Sequence, residues 1–154
     1  MWSNIIGQKR SVLLLRHAMH EQRVAHAYCF FGPEAVACEA LALAFAQALN
    51  CAKPVDESPC GTCKSCVQMN ALQHPNVQLI FALPTGKVGN ADDSPISRLS
   101  DDQLALVHEE IARKSENLYH RISLDGATAI RINTIRDLKN SVRLAQSQQG
   151  RRVF

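Results

Sequence analysis

The stretch "AYCFFGPEAVACEALALAFAQALN", residues 27–50, decides the fold reading. It begins inside a short apolar run, "AHAYCFF" (25–31), turns at Gly32-Pro33, and continues as an alanine- and leucine-rich segment. An apolar run of that length bounded by glycine and proline has the profile of a buried parallel strand. Leu41, Phe45 and Leu49 recur at helical spacing, which predicts a helix over 37–49 with one apolar face. Strand, tight loop, helix is the setting of a phosphate-binding loop, G-x-x-x-x-G-K-[ST]. Gly32 is its only retained signature residue: Ala37 replaces the second glycine, Cys38 the lysine and Glu39 the metal-binding hydroxyl. The lysine is the largest loss, because it supplies the cation that meets the outer phosphates, while Glu39 adds negative charge. An ordinary strand-to-helix turn explains the same residues equally well.

Outward from this stretch, residues 8–23 mix apolar and basic positions and read as a helix against a core. After the cysteine-rich segment 51–66 a short helix, "VQMNALQ", precedes a second apolar strand, "HPNVQLIFA" (74–82). Turn residues then dominate up to Ser100, whose spacing to Gln103 matches a capping box. The helix behind it runs to about Lys114, with Leu104, Val107 and Ile111 on one face. Residues 83–124 are net acidic and read as an insertion between core elements. Asn133 reads as the cap of a last helix bearing Ile135, Leu138 and Val142 on one stripe, ended by Gly150. "GRRVF" resembles the opening of another buried strand, so the chain reads as the N-terminal piece of a longer protein.

Cys51, Cys60, Cys63 and Cys66 follow the spacing C-x8-C-x2-C-x2-C, with Gly61, Thr62 and Ser65 allowing a tight path. Four thiolates close a tetrahedral shell, so the expected cofactor is structural Zn2+ rather than a catalytic metal with an open position. Free loop thiols and a redox pair are the competing readings, and the latter lacks a strand-turn-helix setting. Cys29 reads as a small core residue. Cys38, at a helix start, reads either as a filler of the vacated loop position or as a reactive thiol.

Composition sets the outer bounds. With 46% hydrophobic and 20% charged residues in 154, the chain is globular rather than disordered. No apolar run is long enough for a membrane span, and "MWSNIIGQKR" has no apolar signal core, which predicts a cytoplasmic protein without membrane partners. A net charge of +3 permits an anionic partner without arguing for one. Arg131, Arg136, Lys139, Arg143, Arg151 and Arg152 face only Asp125 and Asp137 within 125–154. That balance suits either a solvated helix face or sequence-independent contact with DNA phosphates.

Taken in order, "IIGQ" (5–8), "HAYCFFGPEAVACEALALAFAQALNC" (26–51), "CGTCKSC" (60–66), "HPNV" (74–77), "IRINTIRDL" (130–138) and "GRRVF" resemble one family. It is the AAA+ module of the bacterial DNA polymerase III clamp loader, in its tau/gamma and delta-prime subunits. The resemblance implies an α/β, P-loop NTPase-like three-layer parallel sheet, held here in part, with an inserted four-cysteine zinc module at about 51–66. The strand that activates water, the lid and the collar would lie beyond this chain. The resemblance places Ile5 and Ile6 beside the adenine, and Gly32, Pro33, Glu34, Ala35, Val36, Ala37, Cys38 and Glu39 in the phosphate loop.

With Cys38 and Glu39 there, binding of ATP and Mg2+ is not expected. The closest fit is a non-catalytic, stator-like delta-prime-type subunit without ATPase activity. Its implied partners are the gamma/tau and delta subunits, the sliding clamp and primer-template DNA reached through the assembly. The alternatives are an ATP-binding tau/gamma-type motor subunit and a zinc or thiol sensor module.

Overall fold

The computed structural model of the chain describes residues 2–33, 37–87, 93–143 and 149–154. Five α-helices are present among them: α1 (Lys9–His20), α2 (Cys38–Asn50), α3 (Lys64–Asn70), α4 (Asp101–Glu116) and α5 (Ile132–Arg143). Two 3-10 turns, Trp2–Asn4 and Ile96–Arg98, complete the regular structure. The chain divides into two compact units, one of residues 1–77 with 148–153 and one built on 78–147.

The expected parallel sheet does not form, and the α/β, P-loop NTPase-like fold reading is corrected by this. A strand exists only through ladder hydrogen bonds to a neighbour. Among the described residues, pairing is confined to two isolated bridges, a parallel one between Val77 and Val153 and an antiparallel one between Val55 and Ser58. Residues 25–31 carry no ladder and are largely exposed, with Phe31 at 89%. Apolarity told what this run would bury in a sheet, but no described segment lies alongside to complete one. Residues 74–82 fail for the same reason beyond the single bridge at Val77.

In the first unit α2 is the centre. The sequence suggested one apolar face, yet Ala40, Leu41, Leu43, Ala44, Phe45, Ala46, Gln47 and Ala48 are all buried. A helix apolar around most of its circumference belongs inside a core. It packs against α1 and α3. From α1 only Leu15 is buried, while Leu13 and Leu14 stay exposed. Gln47 joins α2 to α3: its Nε2 donates to Cys66 O at 3.2 Å and to Asn70 Oδ1 at 3.0 Å.

In the second unit, Ser100 and Gln103 form the expected capping box and start α4. Glu110, on its inner face, accepts from the Ser123 N–H and from His120 Nε2, each at 2.9 Å. Lys114 is fully buried and spends its ammonium on the Leu118 and His120 carbonyls. These bonds fold the 117–123 segment back along the helix. Lys87 N–H donates to Arg98 O at 2.7 Å, and a Cβ on Gly86 would lie 2.4 Å from that same oxygen, so only glycine fits there. α5 starts at Ile132, which places Asn133 inside the first turn rather than at the cap. None of its residues is buried; Ile135 and Val142 of the expected core stripe are exposed.

Candidate metal centre and loop cleft

Val55 to Ser58 form a tight reversal, with mutual backbone bonds of 2.9 and 2.8 Å and positive φ at Asp56 and Glu57. Two successive left-handed residues make the turn that matches hairpin twist. The N-terminal region grips this turn. Trp2 Nε1 donates to Glu57 O at 3.0 Å, Arg16 to Asp56 O at 2.7 Å, and His20 Nδ1 to Glu57 Oε1 at 3.0 Å. Donation to the Glu57 carboxylate raises the His20 pKa.

Beyond the turn the four cysteines converge, as the spacing predicts. Their sulfurs all lie within 4.8 Å of one another, with Cys51–Cys63 and Cys60–Cys66 each at 4.0 Å. A tetrahedron of thiolates at a zinc–sulfur bond length of about 2.3 Å has sulfur–sulfur edges of about 3.8 Å. A disulfide would need about 2.05 Å, and all four are free thiols. Backbone N–H groups already point at the sulfurs: Cys60 to Cys51 at 3.3 Å, Cys63 to Cys60 at 3.3 Å and Cys66 to Cys63 at 3.4 Å. The N–H groups of Thr62 and Cys63 bring the Cys60 thiol down to about 6. For Cys63 burial works upward, but the N–H groups of Cys66 and Ala52 outweigh it and the thiol is lowered. Burial raises Cys51 and Cys66. A donor set of four sulfurs with this spacing fits a single tetrahedral soft cation, held by Cys51, Cys60, Cys63 and Cys66.

A polar network behind the centre was not foreseen as such. His74 is buried, and its Nδ1 accepts the Asn76 N–H at 3.1 Å, so Nε2 carries the proton. That proton goes to Ser65 Oγ at 2.9 Å, and Ser65 donates in turn to Asn50 O at 2.5 Å. Ser65 is therefore fixed by His74 as a structural link, with the wrong polarity for a base-activated nucleophile. Asn76 Nδ2 donates to Gln149 O at 3.3 Å, and Asn76 O accepts from Val153 N at 2.9 Å. "HPN" thus ties the metal-bearing helix α3 to the 149–153 segment. The sequence signals were the motif itself and Gly150.

The loop residues are only partly brought together. Ala37 is buried and precedes α2 without a side-chain cap, Cys38 opens the helix, and Glu39 is exposed in its first turn. Gly32 and Pro33 are exposed, and Glu34, Ala35 and Val36 lie outside the described residues. Ile5 and Ile6 separate, at 8% and 76% exposure. Cys29, expected in a core, is exposed. Beside the loop lies a cleft of about 200 Å³ lined by Gln8, Ser11, Cys29, Phe30, Phe31, Ala37, Cys38 and Leu41, with no lysine or arginine among them.

No described helix is long and apolar enough to cross a membrane. A family profile described as "DNA polymerase III, delta subunit" matches residues 7–154. Protein STICHEL-like 3 of Arabidopsis thaliana is 34% identical over 98 residues, covering 64% of this chain and 8% of that protein. The DNA polymerase III subunit gamma/tau of Mycobacterium bovis is 32% identical over 93 residues, 60% of this chain and 16% of the relative. The tau subunit of Bacillus subtilis is 36% identical over 66 residues, 42% and 12% respectively. The chain thus spans a small part of the length of these relatives. No solved structure matches it. With the four-cysteine centre and "HPN" in place, the chain belongs to the family described as DNA polymerase III, delta subunit, and so to the clamp-loader subunits that its sequence resembles.

Proposed function

We propose that this chain is a non-catalytic, delta-prime-like part of the DNA polymerase III clamp loader, helping to place the sliding clamp on primed DNA in the cytoplasm. The observation that carries this reading is the wall of the loop cleft, whose described residues supply two thiols, a hydroxyl, an amide and apolar groups, but no cation. A triphosphate carries several negative charges, and backbone amides without a lysine leave them poorly compensated. The loop would then serve as a connection into α2, and the chain as a rigid piece against which the other subunits work. Its partners would be the gamma/tau and delta subunits, with the sliding clamp and primer-template DNA reached through that assembly.

In the metal centre the proposed ion is Zn2+, held by Cys51, Cys60, Cys63 and Cys66. Its role would be structural: four thiolates fill the shell and leave no place for a reacting water. The residues around it hold the 51–66 segment against α1 and α2.

A second reading, an ATP-binding tau/gamma-type motor part, is favoured by the gamma/tau and tau names of the bacterial relatives. Mixing the zinc-loaded chain with purified gamma/tau and delta subunits on a sizing column tests the proposal. Co-elution that is indifferent to ATP supports it. Failure to associate, or association that requires ATP bound to this chain, contradicts it.

A further inference from the structure

Two of the six cysteines take no part in the metal centre, and both open on the same cleft. Cys29 comes from the exposed 25–31 segment and Cys38 from the first turn of α2. Between them the walls are aromatic and aliphatic, from Phe30, Phe31, Ala37 and Leu41, with Ser11 and Gln8 as the polar remainder. The cleft thus presents two soft nucleophiles in an apolar setting.

The geometry points to a two-thiol binding site for a soft electrophile that bears an apolar group and ends as a neutral adduct. Three features choose that class. Hard cations such as Mg2+ or Ca2+ need several oxygen donors, and no carboxylate is among the described residues that line the cleft. An anion, or a metal dithiolate bearing net negative charge, would find no lysine or arginine among the described lining residues to offset it. A neutral adduct has neither requirement, and its apolar group is received by Phe30, Phe31 and Leu41. The site is accessible, since Cys29 is exposed and Cys38 is half-buried.

A monosubstituted trivalent arsenical is a suitable probe. Its hydrated form, R–As(OH)2, condenses with two thiols: two As–S bonds form, two As–O bonds break, and the thiol protons leave with the hydroxyls as two waters. Arsenic stays trivalent and no oxidant is consumed. Joining two thiols to one arsenic gives the advantage of an intramolecular second step, whereas a single thiol holds the group weakly.

The test is intact-mass analysis of the zinc-loaded chain after treatment with phenylarsine oxide and a wash with 2-mercaptoethanol, a monothiol. The expected result is one arsenical per chain that survives the wash, is stripped by dithiothreitol, and leaves the zinc content unchanged. Cys29→Ser and Cys38→Ser, each confirmed folded by circular dichroism and by zinc content, should each lower retention about a hundredfold. Cys29→Ala and Cys38→Ala should do the same, showing that the thiol rather than packing is at work. Absence of a retained adduct overturns the inference. So does retention in either single variant, or an adduct on Cys51, Cys60, Cys63 or Cys66 accompanied by zinc loss. The inference does not depend on the clamp-loader role: ATP binding and arsenical retention are separate readouts on separate variants.

Discussion

Asn50 Oδ1 accepts the Arg151 backbone N–H at 3.0 Å, joining the end of α2 to a segment 101 residues later in the chain. The same oxygen would lie 2.3 Å from a Cβ placed on Gly150, whose φ is +133°. Side-chain size and backbone conformation therefore both require glycine. Gly150→Ala should destabilise the zinc-loaded chain by about 2 kcal/mol, and Asn50→Ala by about 1–3 kcal/mol through the orphaned Arg151 N–H. Urea unfolding monitored by circular dichroism measures both. A loss below about 0.5 kcal/mol for either would mean that the 149–153 segment is not held as described.

His74 yields a pH dependence with a definite sign. Burial lowers its pKa below the usual 6.5, and its Nδ1 is already an acceptor for the Asn76 N–H. The unfolded chain therefore takes up a proton near 6.5 that the folded chain refuses. The stabilising contribution of neutral His74 is present above that pH and fades as the pH falls below it. His74→Gln should remove this part of the slope. The measurement is the urea midpoint between pH 5 and 8 for both chains, with the variant subtracted so that any pH-dependent zinc loss cancels. Parallel curves would contradict the buried, neutral assignment.

Glu110 gives a second pH dependence, in the second unit. The Ser123 N–H is the main cause of its lowered pKa, followed by the bond from His120. A depressed carboxylate stabilises above its unfolded pKa and loses that contribution as the pH falls through its folded value, so the loss lies below pH 4.5. Glu110→Gln should flatten acid unfolding of residues 78–143 in that range. Hydrogen exchange of the Ser123 amide in Glu110→Ala, which removes the acceptor, reads the bond directly: faster exchange is expected, and unchanged protection would refute the bond.

The metal centre predicts one zinc per chain, removable by chelator. Cys60→Ser or Cys66→Ser should lose most bound metal, while Cys29→Ser and Cys38→Ser should keep it. Zinc content by atomic absorption after dialysis decides this. Because thiols must release protons to bind, retention should also weaken as the pH is lowered.

How much of this was legible follows from the range over which each signal acts. The α4 capping box and the existence of α2 depend on residues three or four apart. The capping box stands as read, and α2 runs from Cys38 to Asn50, one residue later at each end than the 37–49 expected. The four cysteines were equally plain, because two-residue spacings force neighbouring sulfurs together. The two strands were not, since "AHAYCFF" and "HPNVQLIFA" speak of burial and cannot name the segment that would pair with them. Asn133 looked like a cap, but α5 begins one residue earlier, at Ile132. The Asn50–Ser65–His74–Asn76 network needs four separated positions to meet, and no local pattern announces it. Nor does any spacing rule bring Cys29 to the cleft that Cys38 lines.

The central claim is that the loop opening α2 has lost its phosphate chemistry. Calorimetric titration of the zinc-loaded chain with ATP and Mg2+ tests it most directly, beside a variant carrying Ala37→Gly, Cys38→Lys and Glu39→Thr. The account predicts no binding heat from the native chain and binding by the restored one. Saturable, one-to-one binding of ATP by the native chain would contradict it and give the motor-type reading precedence.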